Sequence, residues 1–131
     1  MKDLLCDGFQ EAVSEFLVRH RSIVDVESKL QESSARVNRA VAKAVTSCGC
    51  VRIAAEKQRI PEGASLHDLK KYMSTHVEGQ LCEHCKEVLE SEIGQMLFYL
   101  AALCNILDLN LYDILLTEHK KLSALGLFNF S

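Results

Sequence analysis

A single proline and six glycines in 131 residues constrain this chain more than any motif in it. A small β domain needs turn chemistry every ~8–12 residues, and that punctuation is missing. The chain is therefore expected to be all-α. The apolar spacing agrees, because Phe9, Val13, Phe16, Leu17, Val24 and Leu30 recur at the three-and-four interval of one helix face. Ser33 and Ser34 offer a cap for a second helix, with Val37, Val41, Ala44 and Val45 inward, until Cys48-Gly49-Cys50 breaks or bends it. Residues 59–64, around Pro61 and Gly63, read as the one real loop. Ser65 with Asp68 then has the form of a capping box opening a short helix through Leu66, Leu69, Met73 and Val77.

The clearest periodicity follows. Leu89, Ile93, Met96, Leu97, Leu100, Leu103, Cys104 and Leu107 form an apolar stripe roughly 120° wide at 100° per residue, which predicts the central helix. Asn110, with Asp113 at the third position, predicts the start of a last helix through Leu111, Ile114, Leu115 and Leu122, ending at Gly126. The whole reads as one domain over residues 1–131, a bundle of four or five helices. Wide stripes on short helices, with Phe128 and Phe130 in the tail, leave more apolar surface than one small bundle covers, so a homodimer or homotetramer is expected.

Composition removes several partners. Fifteen Lys and Arg stand against 18 Asp and Glu, a formal net charge of −3, which supplies no general positive field for a nucleic acid backbone. No apolar run approaches the ~18 residues of a membrane span, so no membrane partner is expected. The first seven residues carry Asp3 and Asp7 where a signal peptide is apolar, which predicts a cytoplasmic protein. Six cysteines in such a chain point to metal ligands, reactive thiols or core residues rather than a disulfide framework.

Four of the six fall in two close pairs, Cys48-Gly49-Cys50 and Cys82-Glu83-His84-Cys85. Two such pairs can supply the four thiolates of a tetrahedral zinc site, with His84 able to replace one of them. Gly49 would let the backbone fold tightly around an ion. Reduced thiols without metal and redox disulfides are the competing readings. Cys104 lies on the apolar stripe and reads as a small core residue, while Cys6 has no partner near it in sequence. His20, His67, His76 and His119 show no ligand spacing.

The run Glu90-Ser91-Glu92-Ile93-Gly94-Gln95-Met96-Leu97-Phe98-Tyr99-Leu100 resembles the signature helix of the MazG-like, all-α nucleoside triphosphate pyrophosphohydrolases. Residues 106–111 are similar to that family's short connection to its last helix, and the resemblance covers about the C-terminal third. It implies a hydrolase that splits a nucleoside triphosphate into monophosphate and pyrophosphate. It also implies Mg²⁺ held by acids of two neighbouring helices, one bearing Glu-x-x-Glu and the other Glu-x-x-Asp. Such an ion would offset the triphosphate charge and activate the attacking water. Glu92 takes the first position of the second motif, and Gln95 stands where the family has Asp. Glu78, in His76-Val77-Glu78-Gly79-Gln80-Leu81, is similar to the family's Glu-Glu-x-Gly-Glu-Leu, and Glu87 with Glu90 forms a literal Glu-x-x-Glu.

Arg36, Arg39 and Lys43 sit at helical spacing within residues 33–55, a stretch without acids, where they could meet nucleotide phosphates or form a solvated basic stripe. Glu83, Glu87 and Glu90 read equally as a solvated acidic face near a helix start. Two functions are therefore carried forward: the Mg²⁺-dependent hydrolase, and a non-catalytic helical oligomer stapled by zinc.

Overall fold

The computed structural model describes residues 4–17, 21–65 and 67–125, and within them the chain forms five α-helices and one two-stranded sheet. The first apolar face is divided between two helices, α1 over Leu4–Phe16 and α2 over Ile23–Lys43. Ser22 makes the division. Its extended backbone (φ −72°, ψ 137°) lets its Oγ accept the Val24 N–H at 3.3 Å, so α2 starts here and not at Ser33. Ser33 is buried in mid-helix, its hydroxyl donating back to the Lys29 carbonyl at 2.8 Å, the bond an interior serine makes when it has no terminus to cap.

α2 widens at its end into a π-helical turn, Ala44–Cys48, closed by Gly49 at φ 79°, ψ 10°. The Gly49 N–H donates to the Ala44 carbonyl at 2.8 Å, and the chain then reverses into β1, Val51–Ile53. β1 pairs antiparallel with β2, Val77–Gly79, in the register Val51 with Gly79, Arg52 with Glu78 and Ile53 with Val77. The all-α expectation thus holds for the bulk of the chain and misses this hairpin. Strands of three residues are too short to display a period of two, and no tight turn joins them. The intervening residues 54–76 hold a single helical turn, α3 (Leu69–Tyr72). Val77, expected on that helix, belongs to β2; Leu66 lies outside the described residues. Gln58 spans the segment, donating to the Ser74 carbonyl at 2.8 Å and accepting the Ser74 N–H at 2.9 Å.

α4, Glu83–Ile106, runs antiparallel to α2 along most of its length, and its C-terminal half also packs on α1. The core lies at that end: Val13, Leu17, Val26, Ala101 and Ala102, with Phe98, Leu103 and Leu111 against it. Ala101 and Ala102 are fully buried because small side chains let neighbouring backbones approach. This corrects the expectation drawn from the apolar stripe. From Val88 to Tyr99 the side of α4 facing α2 carries Val88, Glu92, Gln95 and Tyr99, and the larger apolar residues Ile93 and Leu97 stay exposed. Farther along, Cys104 is buried as expected, and Cys6 is buried as well.

α5, Leu111–Leu125, leaves α4 at an angle of 107° and packs on α1. Its start is the expected one, with the Asp113 N–H donating to Asn110 Oδ1 at 2.9 Å. Gly126, Phe128 and Phe130 lie outside the described residues. The corner is tied by Gln10 of α1. Its Nε2 donates to Asn105 Oδ1 (2.9 Å) and to the Leu109 carbonyl (2.7 Å), and its Oε1 accepts the Leu111 N–H (2.8 Å). No single helix among the described residues is long and apolar enough to cross a membrane.

Candidate metal centre

Antiparallel packing of α2 on α4 brings the end of one helix to the start of the other, and each carries a cysteine pair. Cys48 ends the π turn and Cys50 follows the left-handed Gly49, so both thiols can lie on the same side of the reversed chain. Cys82 is the N-cap of α4, its Sγ accepting the Cys85 N–H at 3.4 Å, which turns Cys85 toward it one helical turn later. The four Sγ atoms lie within 4.8 Å of one another. Cys48 Sγ and Cys82 Sγ are 3.8 Å apart across the helix pair. A tetrahedral zinc with ~2.3 Å bonds to sulfur requires sulfur–sulfur edges of about 3.8 Å, so the donor set fits a closed four-thiolate zinc site in number, chemistry and spacing.

The electrostatics favour a cation. Hydrogen bonds from the Cys85 N–H and from the Cys85 thiol stabilise negative charge on Cys82, bringing its thiol down to about 7. That thiolate in turn holds Cys85 up, to about 12, and raises Cys48 through their shared hydrogen bond. Cys82 thus carries part of a negative charge near neutrality, and Cys48 and Cys85 are held protonated.

Gly79 keeps the hairpin against this centre. At φ +86° it occupies the left-handed region, and a Cβ there would stand 2.5 Å from the Cys50 carbonyl oxygen. Gly79→Ala must push β1 away and move Cys50 with it. A zinc affinity lower by ~10–100-fold is expected, measured by competition with a chromophoric chelator.

The acids expected to hold Mg²⁺ do not converge. Among the described residues, the four cysteines are the one group of three or more His, Cys, Asp or Glu close enough to share an ion. Glu78 lies on β2 and is ion-paired with Arg52 of β1. Glu87 and Glu90 are exposed on α4, His84 is exposed outside the thiol group, and Glu83 is likewise solvated. Glu92 and Gln95 do face α2. Glu92 borders an opening of about 320 Å³ with Arg36, Arg39 and Lys43, and one of its carboxylate oxygens is buried without a hydrogen-bond partner. Gln95 borders a second opening with Lys29, Glu32, Ser33, Arg36 and Tyr99. Glu32 lies just before the acid-free stretch, and its Arg at i+4 is the sequence signal for its role. It pairs with Lys29 at 3.2 Å and Arg36 at 3.0 Å, and these cations, Lys29 foremost, hold its carboxyl below the usual range. The Arg36 guanidinium therefore stands beside Glu32 and borders both openings.

No family model, curated protein or solved structure matches this chain.

Proposed function

We propose that this chain is a zinc-stapled helical protein that works by assembly rather than by catalysis. The observation that carries the reading is the four-thiol cluster joining the end of α2 to the start of α4. A zinc closed by four thiolates keeps no open position for water or substrate, so its contribution is structural. Self-association as a homodimer or homotetramer belongs to the same reading. Elemental analysis of purified protein tests it: about one zinc per chain is expected. Absence of metal, with Cys48, Cys50, Cys82 and Cys85 all freely reactive in native thiol titration, would remove it.

A second reading rests on Glu92. Its unpartnered buried oxygen, beside Arg36, Arg39 and Lys43, keeps alive the MazG-like hydrolase, with a nucleoside triphosphate bound by the basic residues. No acid cluster supports Mg²⁺ there, and Gln95 brings no charge to a metal shell. Any Mg²⁺-dependent release of pyrophosphate should accordingly be slow. Gln95→Asp should raise it, and Glu92→Gln should abolish it, a loss on the order of 10²–10³ in rate for one missing electrostatic contact. Opposite responses of the two variants exclude a contaminating hydrolase. If the wild type and Gln95→Asp are both inert with Mg²⁺ or Mn²⁺, the hydrolase reading fails.

A further inference from the structure

The thiol cluster is open to solvent. Cys48 is exposed and Cys50, Cys82 and Cys85 are half-buried, whereas Cys6 and Cys104 are buried. A small oxidant in water therefore reaches the cluster in preference to the two core cysteines, and Cys48 is its first point of contact.

Across the helix pair, Cys82 Sγ stands 3.8 Å from Cys48 Sγ. A disulfide has its sulfurs ~2.05 Å apart, so the two need to close by less than ~2 Å. The hairpin sets this approach whether or not an ion is bound. Val51 pairs with Gly79 at the end of the ladder nearest the thiols; Cys48 comes three residues before Val51, and Cys82 three residues after Gly79. There is also room to close. A Cβ built on Gly49 would meet no neighbour within 4 Å, so the end of the π turn can shift toward α4 without collision.

We propose that the cluster is an oxidant-responsive staple: hydrogen peroxide converts Cys48 and Cys82 into a disulfide and frees the zinc, so that sulfur replaces metal as the link between α2 and α4. The Cys48 sulfur attacks one peroxide oxygen, the O–O bond breaks, and hydroxide leaves behind a sulfenic acid. The Cys82 sulfur then attacks the Cys48 sulfur. The S–S bond forms as the S–O bond breaks and a second hydroxide departs. Two thiolates and one hydrogen peroxide thus become one disulfide and two hydroxide ions, the sulfurs supplying the two electrons that the peroxide takes up. Cys50 and Cys85 remain as two donors of a site that needs four, too few to hold zinc against a chelator. The inference rests on the zinc reading above for the ion released, and on the hairpin and the α2–α4 packing for the sulfur pair.

The test uses the full-length wild type, assayed first for zinc and then treated with one equivalent of hydrogen peroxide per chain, with a chromophoric chelator reporting free metal. Release of about one zinc per chain is expected, with loss of two of the four cluster thiols to alkylation. Cys6 and Cys104 should still be alkylated after unfolding. Tryptic mapping should join residues 44–52 to residues 72–86, with fragment ions placing the bond between Cys48 and Cys82. A dithiol reductant and zinc should restore the starting state. The oxidised chain should also melt above the reduced, zinc-free chain, because the new bond constrains the unfolded state. A loaded chain that keeps its zinc and its thiols under peroxide overturns the inference and leaves the zinc staple standing. Disulfides confined to Cys48–Cys50 and Cys82–Cys85 overturn it as well, since neither joins the two helices. A chain that purifies without zinc and with freely reactive thiols fails at the first assay, which removes the staple and the inference together.

Discussion

Removing zinc from the folded protein is expected to lower its melting temperature by on the order of 10 °C or more, because an ion bound only by the folded state stabilises it by mass action. The loss should be local first. A zinc on the four thiols would hold the end of α2, the hairpin and the start of α4, whereas Val13, Val26, Ala101 and Ala102 form the core at the other end of the helix pair. Hydrogen exchange after chelation should therefore accelerate around residues 44–54 and 77–88 and leave the Ala101–Ala102 region protected. Cys85→Ser in the presence of zinc should reproduce the chelated state.

The pH dependence follows from the thiols. Zinc binds thiolates, and at neutral pH it must displace protons from Cys48 and Cys85, both held above the ordinary thiol range. Affinity should therefore rise with pH. Below about 7, Cys82 also becomes protonated, and affinity should fall more steeply. Chelator competition at pH 6 and pH 8 measures both limbs; an affinity unchanged between them would show that these thiols are not the ligands.

Gln10→Ala is expected to cost about 1–3 kcal/mol in urea unfolding, the cost of leaving polar groups of a half-buried corner without their partner. The Leu111 N–H, the Leu109 carbonyl and the Asn105 side chain each lose a bond to the Gln10 amide. Only the bond from Asn105 Nδ2 to the Gln10 backbone carbonyl, at 3.0 Å, survives the truncation. The α4–α5 corner is built on these contacts, so α5 should lose its fixed direction together with stability. A cost below about 1 kcal/mol would mean that water replaces the amide without loss.

Nothing near Gln10 in the chain announces this role. Its partners lie about a hundred positions away, and a glutamine on an amphipathic helix ordinarily reads as a solvated residue. Ser33 misled for a related reason. Serine is favoured at caps, but its side chain can equally satisfy itself on the preceding turn, and the true cap at Ser22 differs only in where the backbone leaves the helix. Asn110 was legible because a cap and its N3 acid act over three residues, well within local reach. The thiols of Cys82 and Cys85 were legible as a pair for the same reason, being one turn apart at a helix start.

What the amino-acid order determined alone was the helical character of most of the chain, the beginning of α5 and the existence of two close cysteine pairs. These depend on proline and glycine content, caps and spacing, all of which act over a few residues. Tertiary structure decided that the pairs meet. Cys48 and Cys82 are 34 positions apart, and their 3.8 Å approach exists because α2 and α4 pack antiparallel with the hairpin folded between them. It also decided which side of α4 faces inward. Periodicity measures how apolar a face is, whereas close packing of α1 and α2 on α4 selects the side where alanines let backbones approach, so part of the most apolar face was left outside.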